Sequence, residues 1–194
     1  MAKPSFEKHL RRIVSMQLKP RKRGLVYVFT GEGAGKTTAA LGHALRALGH
    51  GKKVVVVQFL KGRKSVGEYK AQEKLGALYE VRQFGRVPFV DLKHPSKEDV
   101  RLANAALDFA EKAALKKKPF LLILDEVNLA MAFGLVSTKR VLAFLRRVPW
   151  GVNVFLTGRR APKAILDFAD GATEMRLIRH PFERGVPAIE GIEF

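Results

Sequence analysis

The residues best suited to chemistry are Lys36 and Thr37, which close a glycine-rich run, and Asp125, Glu126 and Arg159, each at the end of an apolar run. The run is Thr30-Gly31-Glu32-Gly33-Ala34-Gly35, with Thr38 just beyond. Glycines allow positive φ, so successive N–H groups can turn inward around an anion. A helix opening at Lys36 adds free N–H groups and partial positive charge. Lys36 brings a full charge to outer phosphates, and Thr37 a hydroxyl for Mg²⁺. The usual pattern places a glycine where Thr30 stands here; Gly31 follows it, which predicts a tighter loop. Asp125 and Glu126 would shape the Mg²⁺ shell. Arg159 offers charge-assisted bonds to phosphate.

Positioning these groups requires strands that end on one side. Leu25 to Phe29 reads as the strand feeding the loop, and the helix runs from Lys36 to about Leu48, with Arg46 near its end. Gly49-His50-Gly51 stops it. Lys53 to Phe59 is a near-continuous apolar run, typical of a parallel strand covered on both faces. Strand, helix, strand in this order is a right-handed βαβ unit. The basic loop Leu60 to Ser65 then falls at the strand's C-terminal end, where open α/β sheets bind ligands. A short helix is predicted over 66–75, a strand over 78–84 and a loop containing Phe89 over 85–95. Ser96, with Asp99 three residues on, signals a helix start. Val100, Ala103, Leu107, Ala110 and Ala114 mark its buried face. Further strands are predicted over 120–126, 152–156 and 172–178. Helices are predicted after Ser137 or Thr138, with Val141, Leu142 and Leu145 inward, and over 161–169.

The chain has 194 residues, 47% of them hydrophobic, which suits one buried domain over 24–194. It has no cysteine, which excludes disulfides, thiolate catalysis and zinc–cysteine sites. His180 has no second ligand at metal spacing. The net charge of +18, from 36 basic and 18 acidic residues, suits either attraction of polyanions such as nucleic acid, a membrane surface or a nucleotide, or simply a solvated basic surface. No run is long enough to span a bilayer, and no secretory signal is evident, so a cytoplasmic location is expected, with an organelle transit segment as the alternative. Residues 1–23 form a basic arm with Phe6, Leu10, Ile13 and Val14 at helical spacing. That pattern fits a helix packed on its own domain, a lid over a ligand, or an arm reaching a partner subunit.

The stretches TGEGAGKTTAALGHALRALGHGKKVVVVQFLKG (30–62), LLILDE (121–126), LTGRRAP (156–162), ADGATEM (169–175), RHPFERG (179–185) and the closing GIEF together resemble the ATP:corrinoid adenosyltransferases of the phosphate-loop type. The family loop shares the shortened glycine spacing. The resemblance runs from about Gly24 to Phe194. It implies a three-layer αβα fold with a mostly parallel sheet, as in RecA-like phosphate-loop NTPases. It also implies transfer of the 5′-deoxyadenosyl group of ATP to Co(I) of a reduced corrinoid, with release of triphosphate. Family members bind ATP reversed relative to other phosphate-loop enzymes. ATP contacts would then come from Thr30, Gly31, Glu32, Gly33, Ala34, Gly35, Lys36, Thr37, Thr38 and Arg46. Mg²⁺ or Mn²⁺ would be served by Thr37, Asp125 and Glu126, and catalysis by Lys36, Thr37 and Arg159.

Members often carry Gly-Phe-Thr-Trp before the long helix, where aromatic rings face the corrinoid. Here that place reads Gly85-Arg86-Val87-Pro88-Phe89, and Phe89 is the candidate for the aromatic contact. Cobalt is the nucleophile, so no Ser, Cys or His triad is required. The resemblance further implies a homodimer, an N-terminal lid that shields Co(I), and a flavoprotein as one source of electrons; no nucleic acid and no membrane partner are expected. The rival reading is a RecA-like ATPase acting on nucleic acid, with Glu126 activating water. A non-enzymatic corrinoid or nucleotide carrier is the third.

Overall fold

In the computed structural model, which describes residue 7 and residues 23–87 and 90–194, a parallel sheet of six strands lies between two layers of helices. The strands are β1 (Val26–Thr30), β2 (Val54–Phe59), β3 (Tyr79–Phe84), β4 (Leu121–Asp125), β5 (Asn153–Thr157) and β6 (Gly171–Glu174), in the spatial order β3-β2-β4-β5-β1-β6. All neighbours are parallel. The three-layer α/β architecture expected from the sequence is therefore observed. The helices are α1 (Lys36–Gly49), α2 (Gly67–Leu75), α3 (Lys97–Lys112), α4 (Val127–Ala132), α5 (Thr138–Arg147) and α6 (Lys163–Phe168).

Burial on both faces explains the strand sequences. Every residue of β2 and β4 is buried. On one face Val55, Val57, Leu122, Leu124, Val154 and Leu156 meet α3, α4, α5 and α6. On the other, Val54, Val56, Ile123 and Phe155 meet the stripe Ala40, Ala44 and Ala47 of α1. These small side chains recur along one face of α1 and let it lie close to the sheet.

Helix α3 opens on a reciprocal cap. Asp99 N–H donates to Ser96 Oγ at 3.2 Å, and Ser96 N–H donates to Asp99 Oδ2 at 2.9 Å. Ala103, Leu107, Ala110 and Ala114 are buried as predicted, while Val100 is only partly so. The helix ends in a wider π turn, Ala113–Lys117.

Two local readings change. The strand expected over 172–178 ends at Glu174, because Met175 leaves the sheet to cross the glycine loop. Helix α4 was not anticipated. Glu126 takes φ 62°, and that left-handed step turns the chain from β4 straight into a helix. The arm 1–23 lies almost wholly outside the described residues.

Candidate active site

The chemistry-bearing residues gather at the C-terminal edge of β1, β2, β4 and β5. Parallel strands in register place Gln58 beside Asp125, and β5 brings Thr157 to the same edge. The glycine loop leaves β1 here and enters α1. Gly31 and Gly35 take φ of 94° and 96°, which glycine adopts without strain. The loop is also braced from outside. Gly33 N–H donates to Met175 O at 2.7 Å, and a Cβ on Gly31 would sit 2.4 Å from the same oxygen. Glycine at these positions thus serves both backbone shape and close approach.

Asp125 is the hub. It is fully buried, and Oδ1 accepts from Thr37 Oγ1 at 2.8 Å and Thr157 Oγ1 at 2.6 Å. Oδ2 accepts from Gln58 Nε2 at 3.0 Å and Lys61 Nζ at 2.7 Å. Burial alone would raise its pKa. The Lys61 charge and these hydrogen bonds outweigh burial and hold the carboxyl below its ordinary value. Burial likewise disfavours the Lys61 charge, but Asp125, Glu126 and Glu68 outweigh it and keep the lysine protonated.

Lys36 is folded onto the loop, donating to Gly31 O at 2.8 Å and Gly33 O at 2.6 Å. Burial lowers its pKa, Glu126 opposes that shift, and Arg159 adds to it. Glu126 behaves oppositely: burial and then the Asp125 charge push its pKa up. Arg159 Nε stands 3.4 Å from Glu32 Oε2, so this arginine reaches the loop from the end of β5.

These groups open onto a cavity of about 1040 Å³. Glu32 to Thr38, Glu126 and Arg159 line it. Thr30, Gly31 and Asp125 lie behind that lining and shape it. Thr30 Oγ1 accepts from Ala161 N–H at 3.1 Å. Arg46 is exposed near the far end of α1 and does not reach the cavity. Phe89 lies outside the described residues. Sequence reasoning placed the loop of Lys61 at this edge but gave no role to Thr157, Gln58 or Lys61. Gln58 carries a signal after the fact, as the polar residue in an otherwise apolar strand. It also overlooked the cavity's other walls: the apolar side of α1 (Leu41, Leu45, Leu48) and the chain end Ile192-Glu193-Phe194.

The donor set fits a hard divalent cation. Thr37 and Glu126 both line the cavity and carry oxygen donors, which hard cations prefer as ligands. A carboxylate has about four acceptor positions, and Asp125 already uses them on four donors. Its fit is to orient Thr37, not to bind an ion directly. Among the described residues no group of three or more His, Cys, Asp or Glu side chains could hold a metal. A cation here would therefore take most of its ligands from phosphate and water.

Residues 22–194 match the family model described as ATP:corrinoid adenosyltransferase BtuR/CobO/CobP. A corrinoid adenosyltransferase of Sinorhizobium is 35% identical over 181 residues, spanning 92% of this chain and 84% of the relative. Those of Pseudomonas aeruginosa and Escherichia coli strain K12 are each 36% identical over 173 residues, spanning 89% of this chain and 85% and 87% of the relatives.

Proposed function

We propose that this chain, which belongs to the BtuR/CobO/CobP family of ATP:corrinoid adenosyltransferases, moves the 5′-deoxyadenosyl group of ATP to Co(I) of a reduced corrinoid and releases triphosphate. The observation that carries this reading is the Thr37–Asp125–Lys61 network beneath a glycine loop that opens onto a cavity with an apolar flank. Ligand cavities commonly enclose roughly 300–1,000 Å³. At about 1040 Å³ this one has room for a nucleotide and part of a second substrate with an apolar ring face.

In the transfer the cobalt electron pair attacks C5′, the C5′–O bond breaks, and its electrons leave on the triphosphate. No proton needs to move at the reacting carbon. The protein's work is therefore to gather charge around the leaving group and keep water out. Loop N–H groups and the first turn of α1 surround the phosphates. Lys36, once released from Gly31 O and Gly33 O, adds a full charge, and Arg159 approaches from β5. Thr37, fixed by Asp125, and Glu126 would hold Mg²⁺ or Mn²⁺, which supplies charge neutralisation on the polyphosphate.

The corrinoid would lie toward the apolar flank of α1 and the side chains of Val90 and Leu92, which line the same cavity. Cob(I)alamin and its a,c-diamide precursor are both within the proposed substrate class. Residues 1–23 are proposed as a lid, completed in a homodimer, with a flavoprotein supplying electrons; the cytoplasm is the proposed location. A chain lacking residues 1–23 should bind ATP and adenosylate poorly. Equal turnover by the truncated chain would remove the lid from the mechanism.

Phosphorus NMR of the products tests the reaction. ATP and reduced cobalamin should give triphosphate, with little ATP consumption when corrinoid is left out. Rapid ADP formation without corrinoid, stimulated by DNA or RNA, would instead support a RecA-like ATPase.

A further inference from the structure

The edge of the sheet opposite the active site is strongly basic and studded with exposed apolar side chains. Strands β2, β4 and β5 begin there side by side: Phe120 N–H donates to Lys53 O at 2.9 Å, and Asn153 N–H donates to Phe120 O at 2.9 Å. Helices α1 and α5 and the π turn after α3 all end at the same edge. They deliver Lys52 and Lys53, Arg146 and Arg147, and Lys116 and Lys118. Among the described residues none of these six enters an ion pair.

Between them stand Leu115, 56% exposed, Phe120, 44% exposed, and Trp150, 75% exposed. Trp150 occupies the tip of the turn Pro149 to Val152, where Val152 N–H closes on Pro149 O at 3.1 Å and Gly151 takes φ 93°. Cations at helix C-terminal ends complement the helix dipole, which accounts for part of the charge. That effect gives no reason to expose a leucine and two aromatic rings among them.

We propose that this edge is a docking surface for an anionic phospholipid bilayer. Clustered Lys and Arg next to a bilayer are drawn to anionic headgroups, and Trp, Phe and Leu gain by entering the headgroup–acyl boundary. Leu115 decides against a nucleic acid, since an aliphatic tip cannot stack on a base. No helix among the described residues is long and apolar enough to cross a membrane, so the contact is peripheral. The active site lies at the other ends of the strands and would face away from the bilayer, open to substrates. This docking proposal departs from the expectation of no membrane partner.

Trp150 is the chain's sole tryptophan, so its fluorescence reads the patch directly. The full chain should show a blue-shifted emission and co-sediment with vesicles containing phosphatidylglycerol, but not with pure phosphatidylcholine. Raised salt should weaken the binding. The Lys52→Glu/Lys118→Glu variant, with unchanged circular dichroism and adenosylation, should partition about tenfold more weakly or worse. The proposal is overturned if phosphatidylglycerol leaves the emission unmoved. It also fails if charge reversal does not weaken binding, which would assign it to other basic segments. A shift produced by single-stranded DNA and not by vesicles would make the partner a nucleic acid.

Discussion

Lys61 Nζ lies 2.7 Å from Asp125 Oδ2, pairing a lysine side chain that is 31% exposed with a carboxylate that is fully buried. The pair joins the loop after β2 to the end of β4. It also leaves Oδ1 of the same carboxylate free to hold Thr37 and Thr157. The hydroxyl proposed for the metal is thus aimed by a charge two strands from the phosphate loop.

Lys61→Ala should lower stability by about 1–3 kcal/mol, because a buried carboxylate loses its counter-charge while water can partly replace it. ATP-dependent turnover should fall as well, since Thr37 loses its fixed partner. Urea unfolding and steady-state assays measure the two effects. Wild-type values of both would mean that Gln58 and the two threonines suffice.

Lys36→Ala should reduce kcat/KM by about a hundredfold or more, because the triphosphate loses its nearest mobile charge. Stability should change little, as the ammonium bonds only to loop carbonyls here. A variant that unfolds early would reveal a structural role in holding the loop.

Gly33→Ala should disturb the phosphate loop while leaving the sheet intact. Its Cβ would meet Arg176 C and Met175 O at 2.8 Å, both backbone atoms that cannot swing aside. ATP affinity should drop about tenfold or more, from displaced N–H donors alone. Calorimetric titration decides, and unaltered ATP binding would show that the segment after β6 is free to move.

Asp99 yields a pH prediction. Burial opposes its charge, but Ser96 and Arg86 outweigh burial and hold its pKa below the ordinary carboxylate value. A depressed pKa contributes stability that is present above the unfolded-state value and lost as pH falls through the folded one. Asp99→Asn should therefore destabilise the protein by about 1–2 kcal/mol near neutral pH and less in acid. Thermal melts from neutral pH into the acid range would show the two proteins converging. Parallel curves would remove Asp99 from the acid limb.

Much of the scaffold was legible because parallel strands buried on both faces leave long apolar runs. Val54 to Phe59 and Leu121 to Asp125 could hardly be anything else. The cap at Ser96 was legible because its chemistry is local. The overlooked parts depend on neighbours in space. Nothing adjacent to Thr157 or Lys61 in sequence announces that both converge on Asp125. Helix α4 was hidden because its start depends on Glu126 entering the left-handed region, which glutamate seldom does. The last strand was overextended because Met175 to Ile178 keep a strand-like composition while the chain is diverted across the loop.

The bond from Gly33 to Met175 also has a consequence in time. A growing chain carries the loop's glycines, Lys36 and Thr37 early in its synthesis. The backbone that presses on Gly31 and Gly33 is made only once β6 and the residues just after it have been added. Until then the ribosome holds a chain with a nucleotide motif but no finished seat for the nucleotide. Competence to bind ATP then waits on backbone made long after the motif, and a product truncated before β6 would carry the motif without the grip.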